Sequence, residues 1–270
     1  MNLNRPSFSK NAVIYFVGGI VAAGGNLLFA PMYLRLLSAA DYGTWSTFML
    51  MVQCFQPIMC WGLLASMARL TIDADEPTRE RTIGAAIILA TALNVVLISL
   101  IATVTRLPIA NWQVGMLFAA LAAALAAYPN ALLGTYIADG RALQYRGLSL
   151  IGFALQAAIL GAVAASQTSL NVRAAIWALI ASAGLYAALS VHRMARTAQW
   201  KAGAGEYKEL LAFGVPVVLY TIAGQANDFI ARSVLAATVP ASDFGAFSAA
   251  LIYASVIAML SSAVNLAWVP

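Results

Sequence analysis

Charged residues interrupt this chain rarely, and between them run eight long uncharged stretches. These are residues 11–34, 42–68, 82–105, 107–138, 147–172, 174–191, 210–227 and 244–270. A helix needs roughly 20 apolar residues to cross a bilayer. Most of the stretches meet that length; 174–191 is adequate, and 210–227 continues through Asp228 to about Val239. The pattern predicts eight membrane-spanning helices, spans 1 to 8, in an all-α integral membrane protein. Most connections are short, with turn signals at Asp41-Tyr42-Gly43 and Asp139-Gly140. Two are longer, 69–81 and 192–209, and the second, with Gly203 and Gly205, is the most linker-like stretch of the chain.

One span breaks the rule. Asp228 and Arg232 lie inside span 7, four residues apart. An acid and a base within a membrane helix are costly unless they face protein, water or each other, so such residues point to a functional site. Thr221, Gln225, Asp228 and Arg232 follow at spacings of four, three and four and share one helical face. That face should look into a bundle or a wet cavity.

Composition agrees with the span count. The chain is 62% hydrophobic and 9% charged, where soluble domains carry roughly 25% charge. Eight helices use most of the 270 residues and leave no soluble catalytic domain. Cys54 and Cys60, the only cysteines, read as small packing residues with no disulfide or metal signal. No metal site and no cofactor is expected. His192 is the only histidine and has no HExxH context, and there is no Walker sequence for ATP. The Asp73-Ala74-Asp75-Glu76 run reads as a solvated turn.

The net charge of +5 reflects topology rather than nucleic-acid binding. With the N-terminus in the cytoplasm, inside segments hold eleven Lys and Arg residues and outside segments hold four: Arg35, Arg106, Arg173 and Arg232. The positive-inside bias therefore predicts both ends cytoplasmic. Arg5 and Lys10 before an apolar run imitate a signal peptide, but the run exceeds the roughly 7–15 residues of a signal core, so a retained first helix is expected.

The chain also repeats. Ala39, Asp41, Gly43 and Ser46 match Ala241, Asp243, Gly245 and Ser248 without a gap at an offset of 202, and an aromatic follows each Asp. Each block is a tight external turn in which Asp can cap the next helix and Gly permits a sharp bend. Six spans separate the copies. Both halves would then start on the same side of the membrane, as parallel repeats about an axis along its normal, with a cavity between them. The offset pairs Asp228 with Asn26, which shares a face of span 1 with Tyr15, Gly19 and Ala22.

Several motifs carry a family resemblance. Lys10-Asn11 leads into a long first helix that ends at Arg35-Leu36-Leu37-Ser38-Ala39-Ala40-Asp41-Tyr42-Gly43. Gly62-Leu63 and Ala68-Arg69 end span 2, Leu210-Leu211-Ala212-Phe213-Gly214-Val215-Pro216 opens span 7, and Asp243-Phe244-Gly245 follows it. Together these resemble the Wzx-type polysaccharide and O-antigen flippases of the multidrug/oligosaccharidyl-lipid/polysaccharide exporter superfamily. The resemblance implies a MATE-like fold of two six-helix lobes. Residues 1–192 would form a complete first lobe, 193–209 a cytoplasmic linker, and 210–270 the first two helices of a second. An incomplete second lobe is expected to leave the chain weakly active alone. The implied activity is not enzymatic. It is movement of a polyprenyl-diphosphate-linked oligosaccharide across a bacterial inner membrane in O-antigen, capsule or exopolysaccharide synthesis, with membrane lipids and polysaccharide polymerase or assembly proteins as partners.

Under that resemblance Arg232 would bind an anionic diphosphate, and Asp228 would take up a coupling proton or cation. The bland alternative is an i,i+4 ion pair that satisfies itself. Asn26 would face a central cavity or bond a neighbouring helix. Arg35 and Arg69 would contact phosphate or snorkel to the interface. Gln53, Gln56 and Gln156 would bind sugar hydroxyls or neighbouring helices. Pro57, Pro129 and Pro216 can each kink a helix. Three other functions stay open: a cation-coupled multidrug exporter of the same superfamily, a membrane glycosyl- or acyltransferase, and a non-transporting scaffold of a polysaccharide assembly complex. Span 1 has no acid before Asp41, which weighs against the exporter, and the poverty of catalytic residues weighs against the transferase.

Overall fold

The computed structural model describes residue 29 and residues 31–72, 74–104, 113–166 and 171–268. A helical stretch at 31–36 leads in, and nine helices follow among the described residues. They are α1 (Ala39–Cys60), α2 (Leu63–Thr71), α3 (Glu76–Val104), α4 (Gln113–Leu125), α5 (Ala127–Ala138), α6 (Ala142–Ser166), α7 (Val172–Ala195), α8 (Ala204–Thr238) and α9 (Ala241–Trp268). No strand occurs among them. Six helical rods are long and apolar enough to cross a membrane, and they coincide with spans 2 to 7. Span 1 lies mostly outside the described residues, and span 8 is helical through Trp268.

Two spans are broken rods. Span 2 divides at Trp61 and Gly62, both left-handed with φ of 51° and 63°. Non-glycine residues rarely adopt that conformation, and here the turn is fixed by Trp61 Nε1, which donates to Asn94 Oδ1 on α3 at 3.2 Å. Span 4 divides at Ala126, whose N–H turns back to the Ala123 carbonyl at 3.2 Å. The prolines act differently from one another. Pro129 sits in the first turn of α5, where its missing N–H has no helical acceptor to lose. Pro57 and Pro216 sit inside α1 and α8, and each removes the donor due to the carbonyl four residues earlier.

The packing is that of a membrane bundle. Ala85, Ala86, Ala119, Ala120, Ala123, Ala127 and Ala175 have no exposed surface, whereas Val95, Val96, Leu100, Leu143, Trp177 and Leu219 are exposed. Small residues inside let helix backbones approach closely, and large apolar ones outside suit lipid. One core gathers Leu63, Met67, Ile87, Leu132 and Leu210 near the loops at 139–141 and 196–203. Another gathers Tyr33, Tyr42, Trp45, Phe48 and Leu160 near the opposite end.

The linker is docked rather than loose. Helix α7 runs on to Ala195 and α8 begins at Ala204, leaving 196–203 between them. Gln199 donates its N–H to the Glu80 carbonyl at 3.0 Å and its side-chain amide to the Glu80 carboxylate at 2.6 Å. Its own carbonyl occupies the space over Gly84. Arg81 pairs with Glu206 at 3.3 Å. Asp139 holds both Arg79 and Arg141 at the same end of the bundle.

A candidate substrate cleft between the two halves

Span 2, in the first half, meets α8 and α9 of the second half in three zones. At one end the two repeated turns touch. A methyl group on Gly43 would collide with the Ala241 carbonyl, and one on Gly245 would stand 3.0 Å from the Ala39 carbonyl oxygen. The offset of 202 maps Ala39 onto Ala241 and Gly43 onto Gly245, so exchanging the halves turns one contact into the other. Self-complementary contacts of that kind are what a two-fold axis produces. The capping differs from the sequence expectation. Ser38, not Asp41, caps α1 by accepting the Asp41 N–H at 3.1 Å. Asp41 and Asp243 lie in the first turns of their helices, and Gly43 and Gly245 are helical and serve close approach rather than a bend.

The second tight zone lies near the docked linker. A methyl on Gly62 would stand 2.7 Å from the Gly214 carbonyl oxygen, and one on Gly214 would collide with the Trp61 carbonyl. Ser66 Oγ lies 3.5 Å from the Leu210 carbonyl oxygen and donates to it. Backbone therefore meets backbone at both zones, with no room for a side chain.

Between them the halves part. A cavity of about 440 Å³ opens between α1 and α8, and its walls include Gln53, Gln56, Pro57, Gln225, Asp228 and Phe229. A second cavity of about 310 Å³ continues it, sharing Gln56, Pro57 and Gln225 and adding Asn130 and Thr221. The polar face of span 7 thus looks into a cleft. Arg232 Nη1 donates to Gln53 Oε1 across it at 3.1 Å and to Asp228 Oδ2 at 3.4 Å. The Arg232 side chain is 16% exposed and that of Asp228 is 66% exposed. Arg232 Nε is buried with no hydrogen-bond partner among the described residues. The guanidinium therefore keeps unsatisfied donor capacity beside the cleft, although Arg232 itself lines neither cavity.

The other sequence candidates separate. Arg35 is exposed at the end of the leading helix and does not line the cavity. Asn26 lies outside the described residues. Gln156 bonds Tyr33 in the apolar core, away from the cleft. Thr221 lines the cleft but spends its hydroxyl on the Val217 carbonyl at 2.8 Å. Asn130 was not singled out by the sequence. It donates to Cys60 Sγ at 3.1 Å and lines the second cavity; a polar residue beside a proline in an uncharged run was the available signal. No cluster of His, Cys, Asp or Glu that could hold a metal occurs among the described residues.

A family model described as polysaccharide biosynthesis protein matches residues 33–270. No curated protein matches the sequence. Among solved structures, the chain is similar to an outward-facing multidrug resistance MATE family transporter of the MOP superfamily, with TM-score 0.67 and 15% identity, covering 97% of this chain and 64% of that one. It is similar to a MATE protein in complex with MaD3S at TM-score 0.66 and 14% identity, covering 97% and 65%. It is also similar to a MOP superfamily transporter from Pyrococcus furiosus, described as having a binding pocket of reverse polarity, at TM-score 0.60 and 15% identity, covering 97% and 69%. The chain spans less than two thirds of the length of the first two.

Proposed function

Because the chain belongs to the polysaccharide biosynthesis protein family and has the fold of MATE and other MOP superfamily transporters, we propose that it moves a polyprenyl-diphosphate-linked oligosaccharide from one membrane leaflet to the other. The observation that carries this reading is a cleft whose largely apolar walls gather Gln53, Gln56, Gln225 and Asp228, with Arg232 beside it bonded to Gln53. The bilayer keeps the lipid tail, and the cleft spares the head group the cost of crossing hydrocarbon. Arg232 takes the diphosphate, and Asp228, the more exposed partner, changes its charge state or cation as the head group moves. Residues 1–192 act as one lobe, and 210–270 contribute to a second lobe across the cleft.

We infer a cytoplasmic N-terminus and a bacterial inner membrane. The start of α3 (Arg79, Glu80 and Arg81), the 139–141 loop, Gln199 and the start of α8 (Glu206) are tied together at one end of the bundle, and that end carries the positive-inside excess. Reporter fusions after residues 75, 140 and 200 should read cytoplasmic, and those after 40, 107, 170 and 241 periplasmic. A periplasmic signal at 200 would overturn the orientation.

The functional test is complementation of a flippase-deficient strain, read as surface glycan and as lipid-linked precursor left in the membrane. Asp228→Asn and Arg232→Ala should lower export at unchanged membrane levels. Because Arg232 also bonds Gln53, the exchange Asp228→Arg with Arg232→Asp should not restore it. Rescue by the exchange would reduce the pair to a helix-stabilising contact. Resistance to cationic drugs without any glycan export would move the assignment to the drug-exporter class.

A further inference from the structure

Four carboxamide side chains from three helices converge on this one cleft. Gln53 and Gln56 come from α1, Asn130 from α5 and Gln225 from α8. Their nearest equivalent elsewhere, Gln156, is tied to Tyr33 in the core. Amides inside a membrane bundle are expensive unless satisfied, and within a helix bundle they usually find one another or a backbone. Here the partners found are few and leave much unspent. Gln53 gives its oxygen to Arg232, which leaves two N–H donors. Asn130 gives an N–H to Cys60, which leaves its oxygen. Pro57 adds a main-chain acceptor, since the Gln53 carbonyl lacks the donor that a residue with an N–H would supply.

The chemistry of this lining is distinct from that of the Asp228–Arg232 pair. Carboxamides are neutral and present donors and acceptors side by side in one plane. That pattern fits adjacent hydroxyl groups, which are also donor and acceptor at once. It is a poor match for phosphate, which only accepts. Phe229 supplies an apolar ring in the same wall, suited to the C–H face of a sugar. The two cavities share Gln56, Pro57 and Gln225, so the lining is continuous. From Gln225 to Arg232 the α8 wall extends about 10 Å at 1.5 Å per residue, so the neutral stretch adjoins the charged end.

We infer that the carboxamides Gln56, Asn130 and Gln225 form a glycan subsite that reads sugar hydroxyls, with Gln53 at its border, bonded to the phosphate contact at Arg232. The inference rests on the transport reading above and adds a division of labour within it. Binding energy for the head group comes from two chemistries, and only one of them depends on there being a sugar.

Equilibrium binding of the full 270-residue chain in lipid nanodiscs tests this with two probes, undecaprenyl diphosphate and undecaprenyl-diphosphate-linked N-acetylglucosaminyl disaccharide. The wild type should bind the glycosylated lipid more tightly. Gln225→Leu and Gln56→Leu should each weaken it about tenfold, the effect of losing one or two good hydrogen bonds, and leave the bare lipid within about twofold. Arg232→Gln should weaken both lipids alike. Gln156→Leu, outside the cleft, should change neither, and an unchanged melting temperature reports that each variant is folded. Equal weakening of both lipids by the carboxamide variants, no weakening of either, or no wild-type preference for the sugar would overturn the subsite while leaving the transport reading standing. Failure of the wild type to bind either lipid would overturn both.

Discussion

The interface between the halves is built in two opposite ways. At the two tight zones, Gly43 with Ala241 and Gly62 with Gly214, side chains are absent and backbone rests on backbone. In the middle, Gln53, Gln56, Gln225 and Asp228 stand among apolar side chains, and the helices part around a cavity of about 440 Å³. The tight zone at the repeated turns is symmetric, because each half supplies the same residues. In the middle the sequence does not repeat: Asp228 is charged, while the residue that the offset pairs with it, Asn26, is neutral and lies outside the described residues. On the proposed function, symmetry would serve closure and asymmetry recognition, since one head group would present different chemistry to each wall.

The largest effect should come from filling a tight zone. Gly43→Val puts a branched side chain where the Ala241 backbone already stands, and backbone cannot move aside as a flexible side chain can. Overpacking of this kind costs about 1–3 kcal/mol, and here the upper end or full separation of the turns is expected. A fall in the melting temperature in detergent would report it; an unchanged melting temperature would mean that the crossing is not tight. Gly62→Ala should follow, because Gly62 has a left-handed backbone that costs a side-chain-bearing residue about 1–2 kcal/mol, and its methyl would press on Gly214. Gly245→Ala should be milder than either, since its contacts begin at 3.0 Å. Measured in detergent, that ranking of thermal stabilities sharpens the contrast, and equal losses at all three would erase it.

Changes in the middle should act on function and leave stability nearly intact. Arg232→Ala should lower glycan export about tenfold or more, as expected for removing a charge-assisted contact, while the melting temperature stays close to wild type. A collapse in stability would show that the Gln53 bond is structural. Arg35→Ala should be smallest, within about 0.5 kcal/mol and without effect on export, as for an exposed charge away from packed features.

Much of this was legible in the sequence, for identifiable reasons. Charge placement gave the spans, and six of them reappear as apolar rods. Helical spacing placed Thr221, Gln225, Asp228 and Arg232 on one face, and that face lines the cleft or reaches across it. The matched turns pointed to a repeat, and their glycines touch. What sequence could not provide depends on tertiary contact. The break at Trp61 relies on Asn94 from another helix. Asn130 joins the cleft only because span 4 presents that side to span 2. Of the three glutamines read as hydroxyl binders, Gln53 and Gln56 face the cleft while Gln156 does not, a distinction that no periodicity within one helix supplies.

The central claim is that the polar head group of a lipid-linked glycan passes through the cleft between α1 and α8. The most direct measurement is photocrosslinking in cells that make a radiolabelled lipid-linked glycan, with p-benzoylphenylalanine placed at Ile222 on the cavity wall or at Trp177 on the exposed face of α7. A glycan-bearing adduct at Ile222, lost when unlabelled precursor is in excess and absent at Trp177, is the predicted result. Adducts of equal yield at both positions, or none at Ile222 while the lipid-linked glycan accumulates in the same membrane, would contradict it.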